Sequence, residues 1–557
     1  MSNNVRDLLE RQASTYDEKT FLFSAADDGR TWSYSQFNRA VNRTANLLAS
    51  NRIVKGDVVS LLLPNSAEYI IAYFACWKVG AIAGPVNSLL KPEEIEWLIN
   101  NSESRLMLVG SEFESIIESI DKPTVITFND IDEATEGFSS EIEPLELSEN
   151  DDAIIIYTSG TTGKPKGCLL THGNLIANAR QIAGWMGFGE NDRLLTVMPL
   201  FHMNAVSVTT MTALYAGGST VVTPKFSATR FWDIIEKYKI TSFGSVATML
   251  SMLLAKAEES PSNEPRTTNH EPHYRTTSSD HLRFAMCGSA PVPADLLRRF
   301  EETFDCLVIE GYGLSESTCR STFNPPNENR RPGSCGQPID NEMKIVDDNG
   351  SEVADGELGE IVLRGPNICK GYFKNEEATA KAFRGGWFHT GDIARRDRDG
   401  FYYIADRKSD MIIRGGENIY PREIDDVLYT HPAIAEAAVI GVPDDLYGEE
   451  VVAFVVLKEG FANASPYEGH AKSSPPYKGG VDAASADGVV APDTTVVTSA
   501  EEIKDFCRQH LADYKCPKTI HFVDDIPKGP TGKLLKRELA GLYADETATG
   551  DLKLQEP

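Results

Sequence analysis

The sequence predicts an α/β protein with a large amino-terminal domain of layered parallel sheets and helices, followed by a smaller, mobile α+β domain. Buried-strand and helix patterns alternate through residues 31–255, short strands with turn residues follow from about 340, and new strand and helix patterns follow 410. Alternating strands and helices are typical of parallel sheets covered by helices. The short strands predict a small antiparallel, barrel-like region at the end of the large domain.

The first third of the chain shows the alternation most clearly. Apolar residues recur at helical spacing over residues 31–51, behind a Ser/Thr-rich start. The runs VVSLLL (58–63) and RLMLVG (105–110) predict buried strands, and AEYIIAYFACWK (67–78) predicts a buried helix between them. The same alternation returns over residues 190–255.

The short strands are predicted by MKIVDDNG (343–350), GELGEIVLRG (356–365) and GFYYIADR (400–407). Asp348-Asn349-Gly350 and Asp399-Gly400 supply residues typical of tight turns between them.

Two polar stretches interrupt the pattern, at 258–280 and 462–498. Both lack periodicity, and the second is rich in Pro and Gly, so we expect mobile surface loops, with a partner-binding element as the alternative. The predicted organisation is a large domain over 1–405, a hinge at 406–410, a carboxy-terminal domain over 411–545 and a tail over 546–557.

Composition excludes several classes of protein. The chain carries 54 Lys+Arg against 82 Asp+Glu, a formal charge of −28, and shows no basic run, which argues against nucleic-acid binding. The most apolar segment, 69–86, is interrupted by Lys78 and Pro85, so no membrane span is predicted. Nine cysteines without a C-x-x-C pair indicate reduced thiols and a cytoplasmic location. A homodimer is compatible with the sequence.

The stretch IIIYTSGTTGKPKG (154–167) joins an apolar strand to a run of hydroxyl, glycine and lysine residues. It is not a Walker loop, because its glycines are too close together and Pro165 follows Lys164. Glycines and small side chains let backbone N–H groups and hydroxyls turn toward one anion. The sequence therefore favours a phosphate-binding loop over a plain glycine hairpin with solvated lysines.

This stretch resembles the phosphate loop of the adenylate-forming (ANL) superfamily, which includes acyl- and aryl-CoA synthetases, firefly luciferase and peptide synthetase adenylation domains. Four further motifs of that superfamily follow in the family's order: GYGLSES (311–317), WFHTGD (387–392), ADRKSDMIIRGGENIYPREID (405–425) and PKGPTGKLLKREL (527–539). The resemblance covers nearly the whole chain apart from the two polar stretches. It is closest to the acyl- and aryl-CoA synthetase branch.

The resemblance implies three catalytic residues: Lys533, Glu316 and His202. Lys533 would bring an ammonium group between the carboxylate and the α-phosphate of ATP; on residue type alone it reads as a surface lysine. Glu316, with Thr158, would bind Mg²⁺ through oxygen; without the resemblance, Glu316 reads as a helix-start carboxylate. His202 would lie at the entrance of the acyl pocket, although a lone histidine is more often structural.

The resemblance also implies a nucleotide site. Its predicted residues are Thr158, Ser159, Gly160, Thr161, Thr162, Lys164, Ser289, Ala290, Pro291, Glu310, Gly311, Tyr312, Gly313, Ser315, Asp392, Ile404 and Arg407. Within this set Tyr312 would pack against adenine and Asp392 would accept hydrogen bonds from the ribose hydroxyls. Relatives carry Thr where this chain has Ser315, which keeps the hydroxyl.

The resemblance also implies residues for an acyl pocket and for a coenzyme A site. The acyl pocket would be lined by Trp185, His202, Met203, Asn204, Val246, Ala247 and Gly288. Gly415, Gly416 and Glu417 would line the pantetheine tunnel after a domain rotation about Lys408 and Ser409, where relatives carry Lys or Asp at the pivot.

The resemblance implies an AMP-forming acid–CoA ligase that uses ATP, Mg²⁺ and coenzyme A. The acid is expected to be short- or medium-chain, aromatic or polar-tailed, since His202 and Asn204 add polarity. An adenylation enzyme that loads a carrier-protein phosphopantetheine arm is the main alternative, and a non-catalytic nucleotide-binding relative is a remote one.

Overall fold

The structure is a computed structural model, and it describes residues 4–26, 29–158, 165–258, 281–288, 292–458, 461–463, 496–528 and 534–549. The chain divides into two compact units, the first running to Ile404 and the second beginning at Ala405. Among the described residues, no helix has the length and apolar character needed to cross a bilayer.

The first unit contains helices of very different length. They are α1 (Val5–Tyr16), α2 (Tyr34–Ser50), α3 (Ala67–Lys78), α4 (Pro92–Ser102), α5 (Glu114–Ile117), α6 (Ile131–Ala134), α7 (His172–Met186), α8 (Thr212–Ala216), α9 (Phe231–Tyr238), α10 (Ala247–Glu258), α11 (Ala294–Phe304) and α12 (Glu376–Ala382). A stretch of π-helix, Asn204–Met211, leads into α8, and short 3₁₀ turns occur at Ser111–Phe113 and Ser315–Ser317.

The strands that begin in this unit are short. They are β1 (Thr20–Ser24), β2 (Thr31–Ser33), β3 (Val58–Leu62), β4 (Ile82–Pro85), β5 (Ser104–Val109), β6 (Thr124–Thr127), β7 (Asp152–Thr158), β8 (Lys166–Thr171), β9 (Arg193–Thr196), β10 (Ser219–Val222), β11 (Ser242–Ser245), β12 (Phe284–Cys287), β13 (Val308–Tyr312), β14 (Thr322–Phe323), β15 (Gln337–Pro338), β16 (Glu342–Val346), β17 (Gly359–Arg364), β18 (Gly371–Tyr372), β19 (Phe383–Arg384), β20 (Trp387–Arg396) and β21 (Tyr402–Arg407).

These strands form three sheets. The largest has the order β15-β14-β13-β12-β11-β9-β10-β1-β2, and its strands from β13 to β1 run parallel. The second has the order β18-β8-β7-β4-β3-β5-β6, with a parallel centre and the antiparallel pairs β7–β8 and β8–β18 at one end. The third, β16-β17-β20-β19 with β21 paired to β20, is antiparallel over its first four strands.

The predicted α/β class is therefore confirmed, and so is the antiparallel region. Buried apolar side chains from both large sheets and from α2, α3 and α7 form one continuous core. Ser33 and Thr171 begin α2 and α7 with capping boxes, which satisfy backbone N–H groups that a helix start leaves unpaired. All residues of α3 are buried, as the apolar run predicted.

The second unit is smaller and of α+β type. Its helices are α13 (Pro421–Tyr429), α14 (Ala500–His510) and α15 (Lys536–Thr549), and its strands are β22 (Ile412–Arg414), β23 (Glu417–Ile419), β24 (Ile434–Asp444), β25 (Gly448–Leu457), β26 (Phe461–Asn463), β27 (Val496–Thr498) and β28 (Thr519–Phe522). The main sheet has the order β23-β22-β25-β24, with β28 paired to β25. Helix α15 continues to Thr549, past residue 545 where the sequence predicts a tail.

The two predicted surface loops fall mostly outside the described residues. Residues 259–280 and 464–495 are not described, so the loop predictions there stay predictions. The flanking segments β26 and β27 pair in parallel, with Phe461 opposite Val496. Residues 462 and 463 are therefore strand, although the sequence predicts a loop from 462.

Candidate active site

The carboxyl ends of β9, β11, β12 and β13 lie at one edge of the largest sheet, because these strands are parallel neighbours. The segments that leave this edge contain His202 and Asn204 after β9, Val246 after β11, and Gly288 after β12. Ligands of open α/β sheets bind at the carboxyl ends of their strands. This edge thus brings together residues that the sequence assigns to the acyl pocket and, on β13, to the adenine site.

Tyr312 and Asp392 are joined directly. The Tyr312 hydroxyl at the end of β13 donates a hydrogen bond to Asp392 Oδ2 on β20 at 2.5 Å. Burial and the neighbouring carboxylate raise the pKa of Tyr312 well above its ordinary value, so the phenol keeps its proton. The Asp392 N–H donates a hydrogen bond to the Thr390 hydroxyl at 3.0 Å, which fixes the Asp392 backbone. The adenine and ribose residues predicted from two distant motifs thus form one hydrogen-bonded unit.

Glu316 is held by a residue that the sequence did not single out. It lies in the 3₁₀ turn after β13, is 8% exposed, and its Oε1 accepts a hydrogen bond from the Tyr372 hydroxyl at 2.9 Å. Its carbonyl accepts the Cys369 N–H at 2.7 Å. Burial, followed by the charge of Glu316, raises the pKa of Tyr372, which therefore remains a donor.

The same tyrosine contacts the strand that follows the predicted phosphate loop. Lys166 Nζ lies 5.3 Å from the centroid of the Tyr372 ring, and Tyr372 pairs with Cys168 across β8 and β18. Lys166 in turn pairs with Thr158, the last residue of β7. The two residues assigned to Mg²⁺, Thr158 and Glu316, are therefore each linked by short contacts to this hairpin.

Several predicted residues lie outside the described part of the chain, and their roles stay predictions. They are Ser159, Gly160, Thr161, Thr162 and Lys164 of the phosphate loop, Ser289, Ala290 and Pro291 of the adenine site, and Lys533.

The remaining nucleotide residues of the first unit lie on β13, in the turn after it, and on β21. Glu310 is buried, and its Oε2 accepts the Gly333 N–H at 2.9 Å. Gly311 pairs with Phe323 on β14, and Gly313 and Ser315 begin the segment that carries Glu316. Ile404 is half-buried on β21.

The predicted acyl-pocket residues are largely buried, and only some of their polar groups have hydrogen-bond partners among the described residues. Trp185 Nε1 donates to the Asn324 carbonyl at 3.0 Å, which fixes the indole ring. Asn204 is 5% exposed, and neither atom of its amide has a hydrogen-bond partner among the described residues. Burial lowers the pKa of His202 to about 4, so this imidazole is neutral at neutral pH. Met203 and Val246 are buried, and Ala247, the first residue of α10, is half-buried.

In the second unit, Gly415 and Gly416 form the turn between β22 and β23. Their φ angles are +60° and +89°, a backbone region that non-glycine residues rarely adopt. A Cβ at Gly416 would meet nothing within 4 Å, so the structure gives backbone conformation as the reason for glycine here. Glu417 follows on β23 and is exposed.

The predicted hinge residues Lys408 and Ser409 are exposed in the turn after β21, next to Arg407. The Arg407 N–H donates to Asp406 Oδ1 at 2.7 Å, and the Arg422 N–H donates to Asp406 Oδ2 at 2.9 Å. This buried carboxylate therefore fixes the backbone beside the predicted hinge to the start of α13.

A partly buried ion pair holds the start of α15. Lys536 Nζ lies 2.8 Å from Asp425 Oδ2 on α13. Burial raises the pKa of Asp425 to about 6 even though Lys536 acts in the opposite direction, so the carboxylate is charged at neutral pH.

The α/β fold of the first unit, followed by a smaller α+β unit, is the architecture expected of an adenylate-forming enzyme. The chain belongs to the AMP-binding enzyme family, whose model matches residues 9–373, and the model of the AMP-binding enzyme C-terminal domain matches residues 423–475 and 481–533. Its class is the AMP-forming acid–CoA ligases, with ATP and coenzyme A as substrates.

Similar proteins act on different acids. The chain is 32% identical to the sulfoacetate–CoA ligase of Cupriavidus necator, with 96% of each chain covered, and 30% identical to the long-chain-fatty-acid–CoA ligase FadD13 of Mycobacterium tuberculosis, with 97% of this chain and 99% of that one covered. The structure of o-succinylbenzoate CoA synthetase (MenE) from Bacillus subtilis with its acyl-adenylate intermediate has a TM-score of 0.78, at 32% identity and with 96% and 98% of the two chains covered.

Proposed function

We propose that this chain activates a short- or medium-chain, aromatic or polar-tailed carboxylic acid with ATP and transfers the acyl group to coenzyme A. In the first step a carboxylate oxygen attacks the α-phosphorus of ATP, the bond from that phosphorus to the β-phosphate oxygen breaks, and pyrophosphate leaves. In the second step the deprotonated coenzyme A thiol attacks the carbonyl carbon of the acyl-adenylate, and AMP leaves. The products are acyl-CoA, AMP and pyrophosphate.

The observation that carries the proposal is the placement of Tyr312 and Glu316 within five residues of each other. Each is hydrogen-bonded to a different distant segment, Tyr312 to Asp392 and Glu316 to Tyr372. A nucleotide needs one end for its base and ribose and another for its phosphates, and this short segment supplies both.

The first step joins two anions, so positive charge and fixed donors are the tools it needs. Lys533 would supply a mobile ammonium group for that step. Asp392 would accept hydrogen bonds from the ribose hydroxyls, with Tyr312 holding one of its oxygens in place. Lys166, beside the predicted phosphate loop, would add charge near the phosphates.

The oxygen donors at Glu316 and Thr158 fit Mg²⁺, a hard cation that is commonly held by one or two carboxylates together with substrate phosphates. Bound there, Mg²⁺ would neutralise charge on the leaving pyrophosphate.

The acid itself is proposed from the pocket and not from family membership, since the similar proteins named above act on acids as different as sulfoacetate and long-chain fatty acids. The unpartnered amide of Asn204 and the neutral imidazole of His202 favour an acid with a polar tail. An unbranched long alkyl chain would leave these buried polar groups unsatisfied.

The test is a panel of acids mixed with enzyme, ATP and Mg²⁺, with pyrophosphate and AMP measured before and after coenzyme A is added. We expect pyrophosphate release with a polar-tailed or aromatic acid, and acyl-CoA after addition of coenzyme A. If pyrophosphate is released but the acyl group is transferred to a phosphopantetheinylated carrier protein and not to coenzyme A, the proposal of coenzyme A as acceptor is wrong. If no acid leads to pyrophosphate release, the proposed adenylation reaction is wrong.

A further inference from the structure

Arg320 is one of the largest fully buried side chains of the described residues, and its guanidinium has no counter-ion among them. It lies four residues after Glu316, at 1% exposure, and its Nε and Nη2 atoms have no hydrogen-bond partner in the described part of the chain. The carboxylate of Glu310 on neighbouring β13 instead accepts the Gly333 N–H at 2.9 Å. A guanidinium stays protonated in proteins, so this is a buried positive charge that lacks an anion.

One edge of the guanidinium is unused. Nη1 donates to the Cys319 carbonyl at 3.2 Å, whereas Nε and Nη2 have no partner among the described residues. These two nitrogens lie on the same edge of the planar group, and together they match the two oxygens of a carboxylate. The Arg320 carbonyl is fixed by Asn178 Nδ2 at 2.7 Å and Asn367 Nδ2 at 3.1 Å, so the backbone that carries the side chain is held in place.

The guanidinium lies against the predicted acyl pocket. A Cβ built on Gly288 would be 2.8 Å from Arg320 Nη2 and 2.9 Å from Arg320 Cζ, so only the absence of a side chain at Gly288 leaves room for the arginine. Gly288 follows β12 at the carboxyl edge of the sheet, where the acyl-pocket residues converge.

A second unsatisfied polar group lies at the same edge. A Cβ built on Gly244 of β11 would be 2.9 Å from Asn204 Oδ1, and Gly244 pairs with Met286 of β12, two residues before Gly288. Neither Asn204 amide atom has a partner among the described residues. Buried polar groups are almost always hydrogen-bonded, and a buried charge is almost always paired. Asn204 lies against Gly244 of β11 and Arg320 lies against Gly288, which follows the neighbouring strand β12, so the two exceptions point to one polar ligand.

We propose that Arg320 binds a second anionic group of the acid, so that the substrate is a dicarboxylic acid or a carboxylic acid with a sulfonate group. This inference rests on the proposed ligase function and names its substrate class. The Nε and Nη2 edge binds the distal anion, Asn204 adds a neutral hydrogen bond, and the other carboxylate is the one adenylated. Arg320 selects the acid and takes no part in bond making.

The experiment compares acids in pairs in which a methyl group replaces the distal anion: succinate with butanoate, and terephthalate with 4-methylbenzoate. Each is assayed as AMP formation with ATP, Mg²⁺ and coenzyme A, for the wild type, for Arg320→Met and for Arg298→Met. Arg298 is an exposed arginine of α11 that pairs with Asp295 and Glu302 on the helix surface, and it serves as the control.

We expect the wild type to prefer the dianionic member of at least one pair, and Arg320→Met to lower kcat/KM for that acid by about 100-fold or more, the scale on which a buried charge-assisted pair discriminates. Arg320→Met should leave the methyl-substituted acid unchanged or improved, and Arg298→Met should change neither. Arg320→Lys, which keeps the charge without the two-nitrogen edge, should retain part of the activity with the dianion.

Thermal unfolding separates recognition from folding. Removal of an unpaired buried charge should keep or raise Tm without ligand, and a dianionic acid should raise Tm for the wild type but not for Arg320→Met. A wild type that adenylates only monoanionic acids, with Arg320→Met equally active, would overturn this inference and leave the ligase function intact. Absence of AMP formation with every acid would overturn the ligase function itself. If Arg320→Met does not fold, the same pairs of acids are compared for Arg320→Lys. Equal losses of kcat/KM for the dianionic and the methyl-substituted acid in Arg320→Lys would contradict the proposal.

Discussion

The hydroxyl of Tyr312 and the carboxylate of Asp392, 80 residues apart in sequence, meet in a 2.5 Å hydrogen bond. The bond joins the end of β13 in the largest sheet to β20 in the antiparallel sheet. It gives Asp392 one occupied oxygen position and a fixed orientation, as a carboxylate that binds ribose hydroxyls would need.

Tyr312→Phe keeps the aromatic ring but removes this hydrogen bond. We expect the KM for ATP to rise about tenfold with little change in kcat, because a hydrogen bond to a charged group contributes about 1.5–3 kcal/mol. Asp392→Asn should have the larger effect on KM. The check is steady-state kinetics at varied ATP.

Tyr402→Phe is the matched control, because Tyr402 is also buried and donates to the Met343 carbonyl at 2.8 Å. It should lower stability and leave the KM for ATP unchanged. If the two Tyr→Phe variants raise this KM equally, the pairing with Asp392 has no special role in nucleotide binding.

Tyr372→Phe should weaken the use of Mg²⁺, because it frees the Glu316 carboxylate from its 2.9 Å hydrogen bond. We expect the Mg²⁺ concentration for half-maximal pyrophosphate release to rise about tenfold or more, which is the typical effect of removing a residue that orients a metal ligand. Glu316→Gln should raise it further and lower kcat. Mg²⁺ titrations of pyrophosphate release at saturating ATP measure both effects.

The control for this series is Tyr238→Phe, which removes a buried hydroxyl that donates to the Ser24 carbonyl at 3.2 Å. Its Mg²⁺ dependence should match the wild type. A Glu316→Gln variant with unaltered Mg²⁺ dependence would remove Glu316 from the proposed metal site.

Acid should destabilise the first unit through His172. This residue is fully buried at the start of α7, its Nδ1 accepts the Val5 N–H at 3.4 Å, and burial lowers its pKa from 6.5 to about 4. Because the folded pKa lies below the unfolded one, the contribution is complete above about pH 6.5 and is lost as the pH falls toward 4. The shift corresponds to about 3 kcal/mol at most.

Urea unfolding at a series of pH values between about 7 and 4 measures this effect. His172→Asn keeps an acceptor for the Val5 N–H and cannot be protonated, so its free energy of unfolding should fall less over that range. Part of the pH dependence of unfolding should remain in His172→Asn, because the pKa of His202 is also lowered to about 4. Parallel pH curves for the wild type and His172→Asn would show that His172 is not responsible.

The sequence predicted the elements whose signal is local. The apolar run 67–78 and the Ser/Thr start of the helix after residue 31 correspond to α3 and α2. The alternation predicted over residues 190–255 includes helical structure after β9, but the apolar pattern does not show that Asn204–Met211 is π-helix with wider turns.

Candidate site residues could be predicted where they form a contiguous motif, as around Tyr312 and Glu316, and their roles stay predictions. Tyr372 was missed because its hydrogen bond to Glu316 spans 56 positions and depends on β18 pairing with β8. Arg320, which we propose to select the acid, was not predicted because a lone arginine in a polar run is more typical of a surface residue. The one available signal was its distance of four residues from Glu316.

We propose that Lys533 acts in adenylation and not in thioester formation. The direct measurement compares Lys533→Ala with the wild type in two separate assays: pyrophosphate release from acid and ATP, and acyl-CoA formation from supplied acyl-adenylate. Lys528→Ala is the control, since Lys528 pairs with Glu436 at 2.7 Å on the surface of the second unit.

We expect Lys533→Ala to lower pyrophosphate release by about 100-fold or more, as loss of a charge placed for the transition state does, and to keep acyl-CoA formation within about threefold. Lys528→Ala should leave both rates near those of the wild type. Equal losses in the two assays for Lys533→Ala would contradict a role of Lys533 in adenylation alone.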